Sequence, residues 1–281
     1  VRRSWPSERW TQHAFHRKPM PARHPSFVDC ARHDAATCSV DLTRPAVLED
    51  AIGCWSNPAL FDLRTMALRF GHVDWSVGDD DLDDVAVTIA LDEYVRYALA
   101  QRDDSPLYIF DDVVLDEEPA LAAAYAPPPC LPRDEWRGLP SRPPYRWVLI
   151  GAERSGSAPH TDPDATAAWN TLVSGAKRWV LFPPHVTEHA IYCAAAEGPA
   201  AEGAAAEGPA AEGPAAEGAA AEVSLRGEAA CEAAHEASAA AARESASHWL
   251  HHCYPRLTSL PGVELVQRPG EAVYVPAGWA A

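Results

Sequence analysis

The chain has 281 residues, with 23 basic against 40 acidic side chains and a formal net charge of −17. That acidic excess argues against a nucleic-acid backbone as partner and suits a basic protein or peptide. No apolar run approaches the ~18 residues of a membrane-spanning helix, so no membrane association is expected. No charged-then-apolar leader opens the chain, so secretion is not expected either. The seven cysteines (Cys30, Cys38, Cys54, Cys130, Cys193, Cys231, Cys253) are odd in number and lack CxxC spacing. They read as reduced thiols in an intracellular compartment.

Residues 1–40 mix Pro6, Pro19, Pro21 and Pro25 with a basic start (Arg2, Arg3, Arg9, Arg17, Lys18) and show no periodicity. They read as an irregular, solvated arm rather than an import signal. Order is expected from Arg44 onward, in one domain over 41–281 with a helical preface to about residue 104. Leu60, Leu63, Met66, Ala67 and Phe70 recur at threes and fours and predict a helix over 58–70. Asp79–Asp84 reads as a solvated acidic loop. A second helix is predicted over 91–101, with Tyr94, Val95, Ala98 and Leu99 on one side.

From about residue 105 the pattern turns to strands: 107–110, 145–150, 169–173, 178–182, 263–267 and 272–275. Ser-Gly-Ala between 173 and 177 predicts a hairpin. Many short strands with Gly/Pro turns, and helices confined to the N-terminal third, point to a β-barrel or sandwich with a helical preface. Residues 194–247 interrupt this with an Ala/Glu/Gly/Pro repeat, Glu recurring at 197, 202, 207, 212, 217 and 222. Such a composition cannot bury a core, so a disordered insertion is predicted. Without these roughly 54 residues, about 225 remain, enough for a sizeable core.

His160-Thr161-Asp162 carries the strongest chemical signal. In an extended segment residues two apart share a face, so an imidazole and a carboxylate converge. This is two-thirds of the facial triad that holds Fe(II) with open positions. If the hairpin loop is even-numbered, Asn170, Leu172, Lys177 and Trp179 share one face, and an inward ammonium calls for an anion such as a dicarboxylate. If it is odd-numbered, Lys177 decorates the surface.

Five segments together resemble the JmjC family of Fe(II)/2-oxoglutarate oxygenases, in particular its bifunctional arginine demethylase and lysyl-hydroxylase branch. They are 103–110 (Asp-Asp-Ser-Pro-Leu-Tyr-Ile-Phe), 142–147 (Arg-Pro-Pro-Tyr-Arg-Trp), 154–163 around the HxD triplet, 167–183 (through Lys-Arg-Trp-Val-Leu-Phe-Pro) and 269–279 (Pro-Gly-Glu-Ala-Val-Tyr-Val-Pro-Ala-Gly-Trp). The resemblance implies a mainly β, cupin-like double-stranded β-helix (jelly-roll) barrel. It implies Fe(II), 2-oxoglutarate as cosubstrate and O₂, acting in hydroxylation or demethylation of lysine or methyl-arginine side chains on basic nuclear proteins. Residue by residue it makes His160 and Asp162 iron ligands, Lys177 the partner of the distal 2-oxoglutarate carboxylate, and Asn170, Ser157 and Tyr108 lining of the cosubstrate pocket. Trp147 falls at an aromatic near the site, with a core role equally open.

One departure stands out. The family's last motif is Gly-Trp-Trp-His, whose His is the third iron ligand; here it is Gly278-Trp279-Ala280-Ala281, with Ala281 at the ligand position. The chain is therefore expected to be a truncated form, incomplete at the C-terminal end of the barrel and lacking the family's dimer contact. His185, His189, His248, His251 and His252 offer no convincing replacement. The alternative is a catalytically inactive JmjC-like binding module. A metal-free or non-redox cupin is disfavoured, because it leaves Lys177 and Asn170 without a purpose.

Overall fold

The computed structural model describes residues 13–37, 39–77, 87–193, 245–257 and 260–281. Ten short strands carry it: β1 (Ala31–Asp34), β2 (Ala46–Glu49), β3 (Asp74–Val77), β4 (Val87–Ala90), β5 (Tyr108–Asp111), β6 (Val148–Gly151), β7 (Ala168–Thr171), β8 (Lys177–Leu181), β9 (Val263–Gln267) and β10 (Ala272–Val275). They form sheets ordered β1-β2-β10-β7, β4-β3-β5-β6 and β8-β9, an open jelly-roll arrangement.

The predicted helices fall where periodicity put them. α1 (Leu63–Phe70) is capped by Asp62, whose carboxylate accepts from the N–H groups of Arg64 and Thr65. Its Met66 and Phe70 are buried against Trp75, Leu91 and Ile109. α2 (Leu91–Ala100) buries Leu91 and Tyr94, but Leu99 is 85% exposed. The predicted stripe holds at Tyr94, Val95 and Ala98 and fails only at Leu99; Tyr97 turns inward as well, its hydroxyl reaching Asp103 and the N–H of Leu107.

Two expectations need correction. From residue 13 onward the arm is anchored rather than free, though most of its residues stay exposed: Phe15 is fully buried, Phe27 is 5% exposed, and β1 pairs in parallel with β2. A polar network fastens the same segment. Glu264, itself 4% exposed, receives Arg178 and the Tyr254 hydroxyl, while Arg178 also donates to the carbonyl of Pro21 at 2.6 Å. These charge-assisted bonds give irregular backbone a fixed place that periodicity cannot report.

The second correction concerns the hairpin. β7 and β8 do not pair: β7 pairs with β10 and β8 with β9, so residues 172–176 cross from one sheet to another. Each is the terminal strand of its own sheet and takes a partner distant in the chain instead of its neighbour. Gln267 joins the two sheets instead. It is fully buried, donates to the carbonyls of Asn170 at 2.7 Å and Glu271 at 2.9 Å, and accepts from Trp179 Nε1 at 2.9 Å. Between the sheets Val47, Leu181, Leu265, Val273 and Val275 form an apolar cluster.

The predicted acidic loop at 79–84, and all of the predicted insertion except 245–247, lie outside the described residues. Residues 245–247 are not insertion-like, since the Ser245 hydroxyl caps a helix running on from Ala246 and Ser247 is buried.

Gln267→Leu keeps the volume and removes the partner of Trp179 Nε1 and of the Asn170 carbonyl, each loss worth about 1–3 kcal/mol; the Glu271 carbonyl keeps the bond from Leu172 N–H. Chemical denaturation is expected to show a loss of about 2–4 kcal/mol, and an unchanged midpoint would mean that the two sheets do not depend on this link.

Candidate metal and cosubstrate site

The HxD segment owes its position to the chain's last residues. His160 N–H donates to the carbonyl of Ala281 at 3.1 Å, and Ala281 N–H returns the bond to His160 at 2.9 Å. Across the other edge Ala280 exchanges bonds of 2.8 and 3.1 Å with Phe182, just beyond β8. Residues 279–281 thus lie as an extra short strand between 160–162 and the end of β8. In such a pair, directly opposed residues point to the same side. The methyl group of Ala281 therefore shares a face with the side chains of His160 and Asp162.

His160 and Asp162 come together as the spacing predicted, with Nε2 3.5 Å from Oδ1. Nδ1 of His160 lies 2.9 Å from the carbonyl of Ala158. A carbonyl can only accept, so Nδ1 carries a proton, which leaves Nε2 as the nitrogen that faces the carboxylate and can ligate a metal when unprotonated. That orienting contact is the usual second partner of a metal-binding imidazole. The donor chemistry fits Fe(II) at two protein positions, and the third is a methyl group.

Lys177 reaches the interior by a route other than the predicted hairpin. It opposes Gln267 across β8-β9, so it shares the face of Trp179, Leu181 and Leu265 that packs on β10. Asn170 opposes Val273 on β7-β10 and so faces the same interior from the facing sheet. The Lys177 ammonium sits 4.8 Å from the Trp179 ring centroid. The residue is half-buried, but its charged end is desolvated, which pushes its pKa down to about 8. Among the described residues no carboxylate lies within ion-pair distance of it.

Tyr108 and Ser157 also meet, hydroxyl to hydroxyl, at 2.9 Å, joining β5 to the loop that leads into the HxD segment. Trp147 stacks on Phe110, with centroids 5.7 Å apart, and stays 39% exposed, so it is not core. Sequence reasoning missed Gln267, which unites the Asn170 and Lys177 strands. A lone glutamine at a strand end carries no signal until its partners are known. The histidines that gather as a trio among the described residues are His13, His248 and His252, apart from His160.

Comparison with known proteins places the fold. Residues 86–280 match the family described as cupin-like domain, and the chain belongs to that family, in its JmjC branch. It is 28% identical over 242 residues to a lysine-specific demethylase of Arabidopsis thaliana, covering 85% of this chain and 22% of that protein. It is 34% identical over 150 residues to an arginine-specific demethylase of the same plant, covering 53% of this chain and 28% of that protein. With a bifunctional arginine demethylase and lysyl-hydroxylase of Caenorhabditis elegans it shares 33% identity over 144 residues, 50% of this chain and 36% of that protein. The chain thus spans well under half the length of these relatives.

The depressed Lys177 pKa has a signed consequence for stability. Below about 8 the ammonium is charged in both folded and unfolded states and its burial cost is carried in full; between 8 and 10.5 the unfolded state binds more protons, so stability rises with pH. Without an added dicarboxylate, Lys177→Met is expected to be more stable than the parent near neutral pH by about 1–3 kcal/mol. Denaturation across a pH series should show that difference shrinking as pH climbs through the window. A parent more stable than the variant at neutral pH would mean that the ammonium is already satisfied.

Proposed function

We propose that this chain is the core of an Fe(II)- and 2-oxoglutarate-dependent protein oxygenase that hydroxylates or demethylates lysine or methyl-arginine side chains of basic nuclear proteins. The observation that carries the reading is the conjunction of an oriented imidazole–carboxylate pair with a desolvated ammonium between the sheets that has no carboxylate within ion-pair distance among the described residues. Names of relatives as lysine and arginine demethylases and a lysyl-hydroxylase support the reaction class. The net charge of −17 supports attraction of a Lys/Arg-rich substrate.

In this reading His160 and Asp162 hold Fe(II), and Lys177 binds the distal carboxylate of 2-oxoglutarate. Asn170, Ser157 and Tyr108 place polar groups along the cosubstrate. Leu181, Leu265 and Val273 keep water from the Lys177 end, so that a charge-assisted pair there counts for more than it would at the surface. Bound Fe(II), with 2-oxoglutarate and O₂, supplies the oxidising power for C–H hydroxylation or N-demethylation.

A second reading has its own observation. Ala281 puts a methyl group on the face where a third ligand belongs, which favours a catalytically inactive binding module of the same fold.

Two variants separate them. Ala281→His restores an imidazole opposite His160, and its Fe(II) affinity is expected to rise at least about tenfold, with succinate release appearing in the presence of 2-oxoglutarate and a basic or methyl-arginine peptide. In that background Lys177→Ala should raise the 2-oxoglutarate requirement roughly tenfold to 150-fold, with Fe(II) affinity little changed. Peptide binding without any iron- or 2-oxoglutarate-dependent turnover in Ala281→His would favour the binding module.

A further inference from the structure

A second group of side chains has metal chemistry and lies outside the HxD site. His13 precedes the 3-10 turn Phe15–Arg17, His248 ends the helix Ala246–His248, and His252 lies in the π-helical turn Trp249–Cys253. A spacing of four puts His248 and His252 on one helical face, with ring centroids 5.0 Å apart. His13 comes across from the arm, its ring 4.2 Å from His248 and 5.7 Å from His252. One nitrogen from each ring lies within 4.8 Å of the others.

Two further observations point to a ligand. Nε2 of His252 is shielded from solvent and has no hydrogen-bond partner among the described residues, a cost of about 1–3 kcal/mol that a bound cation would remove. Asp104, 6% exposed, spends its carboxylate on the backbone N–H groups of His13 and Phe15, so His13 is held in place rather than draped. Burial, reinforced by His13, His252 and Lys18 against the opposing pull of Asp104, depresses the His248 pKa to about 4. His252 is shifted down by burial, His13, Lys18 and Arg256. Neutral imidazole is the form that ligates.

We propose that His13, His248 and His252 bind a divalent zinc ion that clips the N-terminal arm to the helical run behind the HxD segment. Three neutral imidazoles suit zinc, whose Zn–N bonds of about 2.0–2.1 Å place tetrahedral ligand atoms roughly 3.3–3.5 Å apart, so small ring rotations close the trio. The fourth position is left to water. Trp249, next to His248, packs with Ala158, Phe182 and Ala280 around the HxD segment, and Ser247 donates to the carbonyl of Arg154 at 2.9 Å. The clip therefore acts on the wall that supports the HxD pair.

The test is zinc binding by the full chain carrying His160→Ala and Asp162→Ala, which removes the other metal-binding pair. One zinc ion per chain is expected by chelator competition, with a raised thermal midpoint, and cobalt in its place should give visible absorption of a four-coordinate site. Adding His252→Ala or His13→Gln should weaken zinc at least about tenfold, since even outer-shell losses cost 10–100-fold. His251→Ala, which removes a neighbour stacked on Phe15, should leave zinc affinity within about twofold, far less than a lost ligand costs. If His252→Ala does not fold, His13→Gln on the arm still decides the matter. Absence of zinc in the double variant, unchanged affinity in His13→Gln, or an equal loss in His251→Ala overturns the proposal.

Discussion

The antiparallel contact of residues 160–161 with 280–281 governs the site. Segments more than a hundred residues apart in sequence meet through two backbone bonds, and a third segment at Phe182 closes the other edge. Because opposed residues in such a pair share a face, this contact alone fixes which side chain of residues 279–281 looks at His160 and Asp162. Had the register slipped by one, Ala280 would stand beside His160 and Ala281 would turn away. The methyl group of Ala281 thus stands on the face that His160 and Asp162 share.

Around that contact the protein spends polar groups to hold its sheets in place. Gln267 satisfies Trp179 and two carbonyls in an otherwise apolar interior. Glu264 gathers Arg178 and Tyr254. Each network is buried, so each is costly when broken, and each ties a strand to something that does not pair with it. Lys177 sits in the same interior, and among the described residues no carboxylate lies within ion-pair distance of it.

The N-terminal arm enters the same logic. Phe15 fills a hydrophobic slot among the rings of His248, His251 and His252, and Asp104 takes up the N–H groups that its turn leaves open. An arm with no periodic pattern can be well placed when a few large side chains and one buried carboxylate do the work of a ladder.

The sequence by itself determined the periodic elements: α1, α2 and the strands β9 and β10, whose apolar runs and Pro269-Gly270 turn mark their ends. It also determined the convergence of His160 with Asp162, because two-residue spacing in extended chain is a local property. It did not determine the partner of β7 or β8, since a short loop between two strands permits either a hairpin or a crossing, and the strands that decide, β9 and β10, lie far along the chain. The inward direction of Lys177, the joining role of Gln267, the burial of Phe15 and the approach of Ala281 to His160 were all settled by tertiary structure. The physical reason is the same in each case: these are contacts between segments distant in the chain, and neither composition nor period carries information about who stands opposite whom.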